Sequence, residues 1–151
     1  MIIMENKNIT DKLSEFLASS FCLYLMIHNY HWNVAGVMFH TLHNMFQEQY
    51  TELWKALDVI AERIRALGAL APATVEEFKK LSCLGEPTKT IGATAMINSV
   101  IENTEKLIDC AKEVIEVAEK QKDQPTVDLM SERIAVHQKY VWMLKSLISK
   151  G

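Results

Sequence analysis

Residues 11–36 read DKLSEFLASSFCLYLMIHNYHWNVAG, a stretch without glycine or proline until Gly36. Apolar side chains recur along it three or four residues apart, which is the spacing of one face of an α-helix. They are Leu13, Phe16, Leu17, Phe21, Tyr24 and Leu25. The pattern predicts a long helix that begins at Thr10 or Asp11, both of which are good helix caps. Residues 1–9 would then form a short tail.

Three further long helices are predicted after Gly36. Residues 37–67 again lack glycine and proline and end at Gly68, a common C-terminal stop. A third helix is predicted from about residue 91 to residue 122. A fourth begins near Pro125, a residue that the first turn of a helix accepts, and continues to Ser149. Together with the first helix these segments predict an all-α four-helix bundle.

The long connector between the second and third helices contains one more helix signal. Thr74 lies three residues before Glu77 and ahead of the apolar Phe78. This is the spacing of a capping box, in which the Thr hydroxyl and the Glu carboxylate each satisfy a free backbone N–H group. The connector is therefore predicted to hold one short extra helix.

Composition limits the classes of function. The chain has 151 residues, enough for one domain with a substantial core, and no linker divides it. Its formal net charge of -3 gives no general attraction to nucleic acid. Three cysteines without a C-x-x-C pair favour neither a disulfide framework nor a thiolate zinc site. With no signal-peptide pattern and no run of about 18 apolar residues, we expect a cytoplasmic protein without a membrane span.

Histidines are concentrated around Gly36. Four of the five, namely His28, His31, His40 and His43, fall within sixteen residues. A single histidine on a helix is usually a core or surface residue, but this clustering indicates a shared task.

A pair of acids lies further along the second helix. Asp58 and Glu62 are four residues apart and share one helix face. Such a pair is most often a solvated face, and Arg63 and Arg65 are available as salt-bridge partners. The apolar residues around Asp58 instead favour a partner such as a metal ion.

The histidines and the acids cannot share a site within one chain. His43 and Asp58 lie fifteen residues apart on one helix, which separates them by roughly 22 Å. Two chains that pack their second helices antiparallel about a two-fold axis would bring His43 of one chain to Asp58 of the other. A di-iron centre inside one bundle normally uses Glu-x-x-His pairs, and the sequence contains none. Imidazole and carboxylate ligands suit iron, manganese or zinc.

Four stretches resemble the Dps family, the dodecameric mini-ferritins. They are residues 28–36 (HNYHWNVAG), 39–43 (FHTLH), 58–68 (DVIAERIRALG) and 133–147 (RIAVHQKYVWMLKSL). The resemblance spans nearly the whole chain and implies a single ferritin-like domain over residues 1–151. It also implies a hollow shell of twelve subunits that oxidises ferrous iron, preferably with hydrogen peroxide, and stores the ferric product. Several members of the family also coat DNA.

The resemblance assigns a ligand set. His31 and His43 would come from one subunit, and Asp58 and Glu62 from its two-fold mate, with Glu62 able to bridge two irons. Gln47 stands where the family usually has an acid. A neutral amide is a poorer ligand for a hard cation than a carboxylate. We therefore expect one near-normal iron position and a weaker second one beside His43, with zinc or manganese as substitutes.

Four other residues have two interpretations each. Trp32, next to His31, would intercept radicals made during peroxide reduction or would simply pack at an interface. Asp123, Asp128 and Glu132 resemble the acids that line three-fold entry pores in this family, but acids are also common at helix starts because of the helix dipole.

Two alternative functions differ from iron oxidation. A shell that protects DNA commonly needs a lysine-rich tail, whereas the segment before Thr10 holds only Lys7, so DNA binding should be weak or absent. A scaffold shell with a weakened metal site would follow if Gln47 disables the centre.

Overall fold

Four long helices and one short helix form the described part of the chain. The computed structural model describes residues 2–85 and 92–151, with side chains from residue 8 onward. The helices are α1 (Ile2–Asn33), α2 (Phe39–Ala66), α3 (Val75–Leu81), α4 (Ala93–Lys120) and α5 (Gln124–Ile148). The described residues contain no strand. The prediction of an all-α bundle with a short helix in the crossover is confirmed.

Helix α1 is longer than predicted. It begins at Ile2, so the predicted start at Thr10 or Asp11 and the separate tail of residues 1–9 are wrong. Ile9 and Thr10 are both buried, with 1% and 5% of their surface exposed. Because no glycine or proline interrupts this segment, the helix continues through it and packs Ile9 into the core.

The predicted helix ends follow from local chemistry. Gly36 and Gly68 have φ angles of 101° and 98°, a left-handed conformation that glycine adopts without steric cost, and they end α1 and α2 as predicted. Thr74 and Glu77 form the predicted capping box at the start of α3. Pro125 lies in the first turn of α5, which Asp123 caps. The predicted start of the third helix near residue 91 lies outside the described residues, and α4 begins at Ala93.

The helices pack around a single hydrophobic core. Helix α1 packs against α2 and α4, α4 packs against α5, and α3 lies on α1. Buried Phe16, Tyr30 and Phe46 are among the largest core side chains. The buried guanidinium of Arg133 forms an ion pair with Glu52 and so joins α5 to α2. No helix in the described ranges has a stretch apolar enough to cross a bilayer.

Candidate metal centre

His31 and His43 meet where α1 ends and α2 begins. The Gly36 turn folds α2 back along α1, and the two imidazole rings stack with their centroids 3.8 Å apart and their planes 15° apart. His31 is buried, with 7% of its surface exposed. His43 is partly exposed. The structure therefore brings together the two histidines that the sequence analysis singled out.

The two rings exchange hydrogen bonds with each other's backbone. Nδ1 of His31 donates to the carbonyl oxygen of His43 at 2.7 Å, and Nδ1 of His43 donates to the carbonyl oxygen of His31 at 2.8 Å. The carbonyl of His31 is available because it lies in the last turn of α1, where helical carbonyls lack their usual partners. Since a carbonyl only accepts hydrogen bonds, each Nδ1 carries a proton, and in the neutral ring Nε2 keeps its lone pair. This is the state in which an imidazole binds a metal ion.

Aromatic rings surround the histidine pair. His28 stacks on Tyr50 with centroids 4.0 Å apart and packs against Trp32, at a tilt of 30°, with centroids 3.9 Å apart. Nδ1 of His28 lies 3.1 Å from the hydroxyl of Tyr24. Burial, and then the neighbouring His31, lower the pKa of His28, which disfavours a positive charge on this ring. His28 therefore supports the pair through packing.

Trp32 covers the outer side of this cluster but is itself exposed, with 62% of its surface accessible. The sequence analysis did not single out Tyr50, although it follows His43 by seven residues. Two helical turns place Tyr50 on the same side of α2 as His43. This spacing could have predicted that Tyr50 lies near the histidine pair.

Asp58 and Glu62 lie elsewhere on α2. They are one turn apart, and both are exposed. Because α2 is continuous from Phe39 to Ala66, the rise of 1.5 Å per residue places Asp58 roughly 22 Å from His43 along the axis. Within the described residues, no three His, Cys, Asp or Glu side chains lie close enough to hold a metal ion. The chain therefore carries two separate halves of the expected ligand set.

Gln47 follows His43 by one turn and is exposed. It lines an open groove together with Glu48 and Glu52. Both oxygens of Glu52 accept hydrogen bonds from Arg133, which neutralises that carboxylate. Glu48 is the remaining acid of this groove next to Gln47.

The three acids of the expected pore differ in their contacts. Asp123 caps α5 through the backbone N–H of Thr126 and forms an ion pair with Arg63 at 2.8 Å. This carboxylate therefore stabilises the junction of α2 and α5. Asp128 and Glu132 are exposed further along α5. A pore needs three subunits, so its assignment stays a prediction.

Sequence and structure comparisons agree on one family. The model of the ferritin-like domain, described as Ferritin, matches residues 10–151. The DNA protection during starvation protein 2 of Bacillus anthracis is 32% identical over 145 residues, which is 96% of this chain and 99% of that protein.

Solved structures give the same result. The Dps protein of Bacillus brevis is similar with a TM-score of 0.93 and 32% identity, covering 97% of this chain and 98% of that one. A Dps protein from Vibrio cholerae O1, described as a member of a broad superfamily of ferritin-like diiron-carboxylate proteins, gives a TM-score of 0.93 at 28% identity over 97% of this chain and 92% of that one. The chain therefore belongs to the ferritin-like domain family and, within it, to the Dps proteins.

Proposed function

We propose that this chain is the subunit of a cytoplasmic, iron-storing shell that oxidises ferrous iron at sites shared between two subunits. His31 and His43 of one subunit and Asp58 and Glu62 of its two-fold mate would bind the iron. The observation that carries the proposal is the reciprocal hydrogen bonding of His31 and His43, which leaves both Nε2 lone pairs free for a cation.

An antiparallel contact between two α2 helices would complete the ligand set. The exposed side of α2 carries Gln47, Thr51, Trp54, Asp58 and Glu62, which follow one another at helical spacing. A two-fold axis between positions 50 and 51 would set position 43 of one subunit against position 58 of the other, and position 39 against position 62.

Apolar surface beside the acids supports such a contact. Trp54 is 61% exposed, and a mostly apolar groove that includes Phe21, Leu57 and Phe78 runs past Asp58. Exposed apolar surface of this kind marks protein–protein contacts. A partner that covers the groove would also exclude water from one side of the acids.

The ligand types suit the oxidation of iron. Two carboxylates offset the charge of a ferrous ion, and they bind the ferric product more strongly because its charge is higher by one. Two ferrous ions that each give one electron reduce one hydrogen peroxide to two hydroxide ions. Peroxide is the proposed preferred oxidant because the Dps family resemblance implies it, and the paired transfer releases no hydroxyl radical. Zinc or manganese would compete for the same ligands.

Gln47 makes the two iron positions unequal. An amide oxygen carries no formal charge and binds hard cations less strongly than a carboxylate. The position built on His31, Asp58 and Glu62 keeps its charged ligands, whereas the position next to His43 loses one. The proposed site therefore binds one iron firmly and a second one weakly.

Assembly as a shell of twelve subunits, with the ferric product stored inside, is part of the same proposal. DNA binding is proposed to be weak or absent, since the net charge is -3 and residues 2–9 extend α1 and do not form a separate basic tail. A gel shift that disappears with added salt at low protein concentration would contradict this part.

Stopped-flow absorbance tests the proposal directly. Metal-free protein is mixed with ferrous iron and then with peroxide or oxygen, and the ferric product is followed. We expect fast oxidation that is lost in Asp58→Ala and kept in Asp109→Ala, which removes an exposed acid from α4. Size-exclusion chromatography checks that both variants assemble. A wild-type rate no faster than that of buffer would favour the scaffold function.

A further inference from the structure

Two cysteines meet at a seam between α1, α4 and the connector that follows α3. Cys83 is exposed in the connector, whereas Cys110 is buried on α4. The side chains of Cys83 and Cys110 lie close enough to interact. The backbone N–H of Cys83 donates to the hydroxyl of Ser19 at 2.9 Å, and this hydroxyl lies 3.2 Å from Sγ of Cys83. Three chain segments thus fix the position of one thiol.

The surroundings favour a thiolate on Cys83. Hydrogen bonds from Cys110 and Ser19 lower the pKa of the Cys83 thiol, although burial opposes them. The hydrogen bond to Cys83, together with burial, raises the pKa of Cys110 above its ordinary range. Because Cys83 is exposed and Cys110 is buried, a negative charge is also better solvated on Cys83.

Ser19 can respond to ionisation of its neighbour. Its hydroxyl has one hydrogen, which donates either to the carbonyl of Glu15 at 2.8 Å or to Sγ of Cys83. A thiolate is the stronger acceptor, so the hydroxyl turns toward it. Glu15 on α1 and Glu113 on α4 also face this seam, and Lys12 lies 3.3 Å and 3.4 Å from their carboxylates, which reduces their repulsion of a thiolate.

We propose that Cys83 and Cys110 form a peroxide-reactive dithiol, in which Cys83 is the attacking thiol and Cys110 the resolving thiol. The Cys83 thiolate attacks one oxygen of hydrogen peroxide, breaks the O–O bond and becomes a sulfenic acid, while the other oxygen leaves as hydroxide. Cys110 then attacks the sulfenic sulfur, water leaves, and a disulfide forms. Overall, two thiols are oxidised and one peroxide becomes two waters.

The disulfide would link the connector covalently to α4. Cys83 and Cys110 lie far apart in sequence, so a bond between them closes a loop that includes the start of α4. Ser19 precedes His31 by twelve residues on α1, roughly 18 Å along the axis. The reaction of the dithiol is thus separate from oxidation of iron and needs no metal.

Mass spectrometry of the full-length, metal-free protein tests the dithiol. After treatment with peroxide, the intact chain should lose about 2 Da, the mass of two hydrogens, and peptide mapping should join Cys83 to Cys110. Cys22→Ser, which removes the third cysteine, should behave like wild type. Cys110→Ala should stop at a sulfenic acid on Cys83 that dimedone traps.

A second measurement uses the pH dependence of alkylation. The rate at Cys83 should level off below the pH at which an ordinary thiol does, and Ser19→Ala should move the Cys83 profile to higher pH. An unchanged mass after peroxide, or a disulfide through Cys22, would overturn the proposal. Because no iron is present, such a failure leaves the proposed iron oxidation untouched, and a failure of iron oxidation leaves the dithiol untouched.

Discussion

Two inactive variants should restore each other's activity if the iron site is shared between subunits. One variant, His31→Ala with His43→Ala, lacks the imidazole half of the site, and the other, Asp58→Ala with Glu62→Ala, lacks the carboxylate half. The halves lie roughly 22 Å apart along α2, whereas a metal ligand lies within about 2.3 Å of its ion. Neither half can therefore reach the other within one chain.

The expected recovery follows from symmetry. A two-fold pair contains two sites, each with histidines from one subunit and acids from the other. In a pair of one subunit of each variant, one site receives both intact halves and the other receives none. Random mixing in equal amounts makes half of the pairs mixed, so about one quarter of all sites should be complete.

The assay compares initial rates of ferric product formation. The two variants are unfolded together, refolded and isolated as assembled shells, and each variant refolded alone gives the background rate. His40→Ala, which removes an exposed histidine outside the proposed ligand set, should keep the wild-type rate. A co-refolded shell that assembles normally but oxidises iron no faster than its parents would refute the shared site.

Three further outcomes are expected. Gln47→Glu should raise iron binding at equilibrium from about one toward about two irons per subunit, measured by calorimetric titration, while Gln47→Leu should not. Burial, followed by the nearby Arg133, lowers the pKa of His137 from 6.5 to about 3, so the unfolded chain takes up a proton that the folded chain rejects. Stability should therefore fall by about 1.4 kcal/mol per pH unit as the pH drops from 6.5 toward 3, and urea unfolding of His137→Leu should show a weaker dependence. Glu52→Leu should cost about 3–5 kcal/mol in the free energy of unfolding because it leaves the Arg133 guanidinium buried without its partner, whereas Glu116→Gln, in an exposed pair, should cost less than about 1 kcal/mol.

Helix ends and caps were predictable because their causes are local. Gly36 and Gly68 end helices through a conformation that other residues disfavour, and the capping box at Thr74 depends on two residues three positions apart. The start of α1 was predicted wrongly because Thr10 has the chemistry of a cap. Thr10 is instead buried inside α1, and its burial depends on how the other helices pack.

Contacts between side chains of different helices could not be predicted from the sequence. The exchange of hydrogen bonds between His31 and His43 depends on how α1 and α2 cross, which the spacing of the histidines does not specify. The pairing of Cys83 with Cys110 depends on the path of the connector. The motifs nevertheless identified the family correctly, since the order of residue types along α1 and α2 is itself specific.

Assembly and metal binding are coupled if the same contact serves both. Trp32 beside the histidines and Trp54 near the acids are each more than half exposed in the isolated subunit. Covering a large aromatic side chain is worth about 1.5–3 kcal/mol, so a partner that packs on Trp54 would gain stability while it brings a histidine pair to Asp58. Iron would bind only the assembled pair and would in turn stabilise it. Trp54→Ala should therefore weaken assembly, measured by size-exclusion chromatography, and also raise the iron concentration needed for half-maximal oxidation, measured by stopped flow. If only one of these two properties changes, assembly and iron binding are not coupled through Trp54.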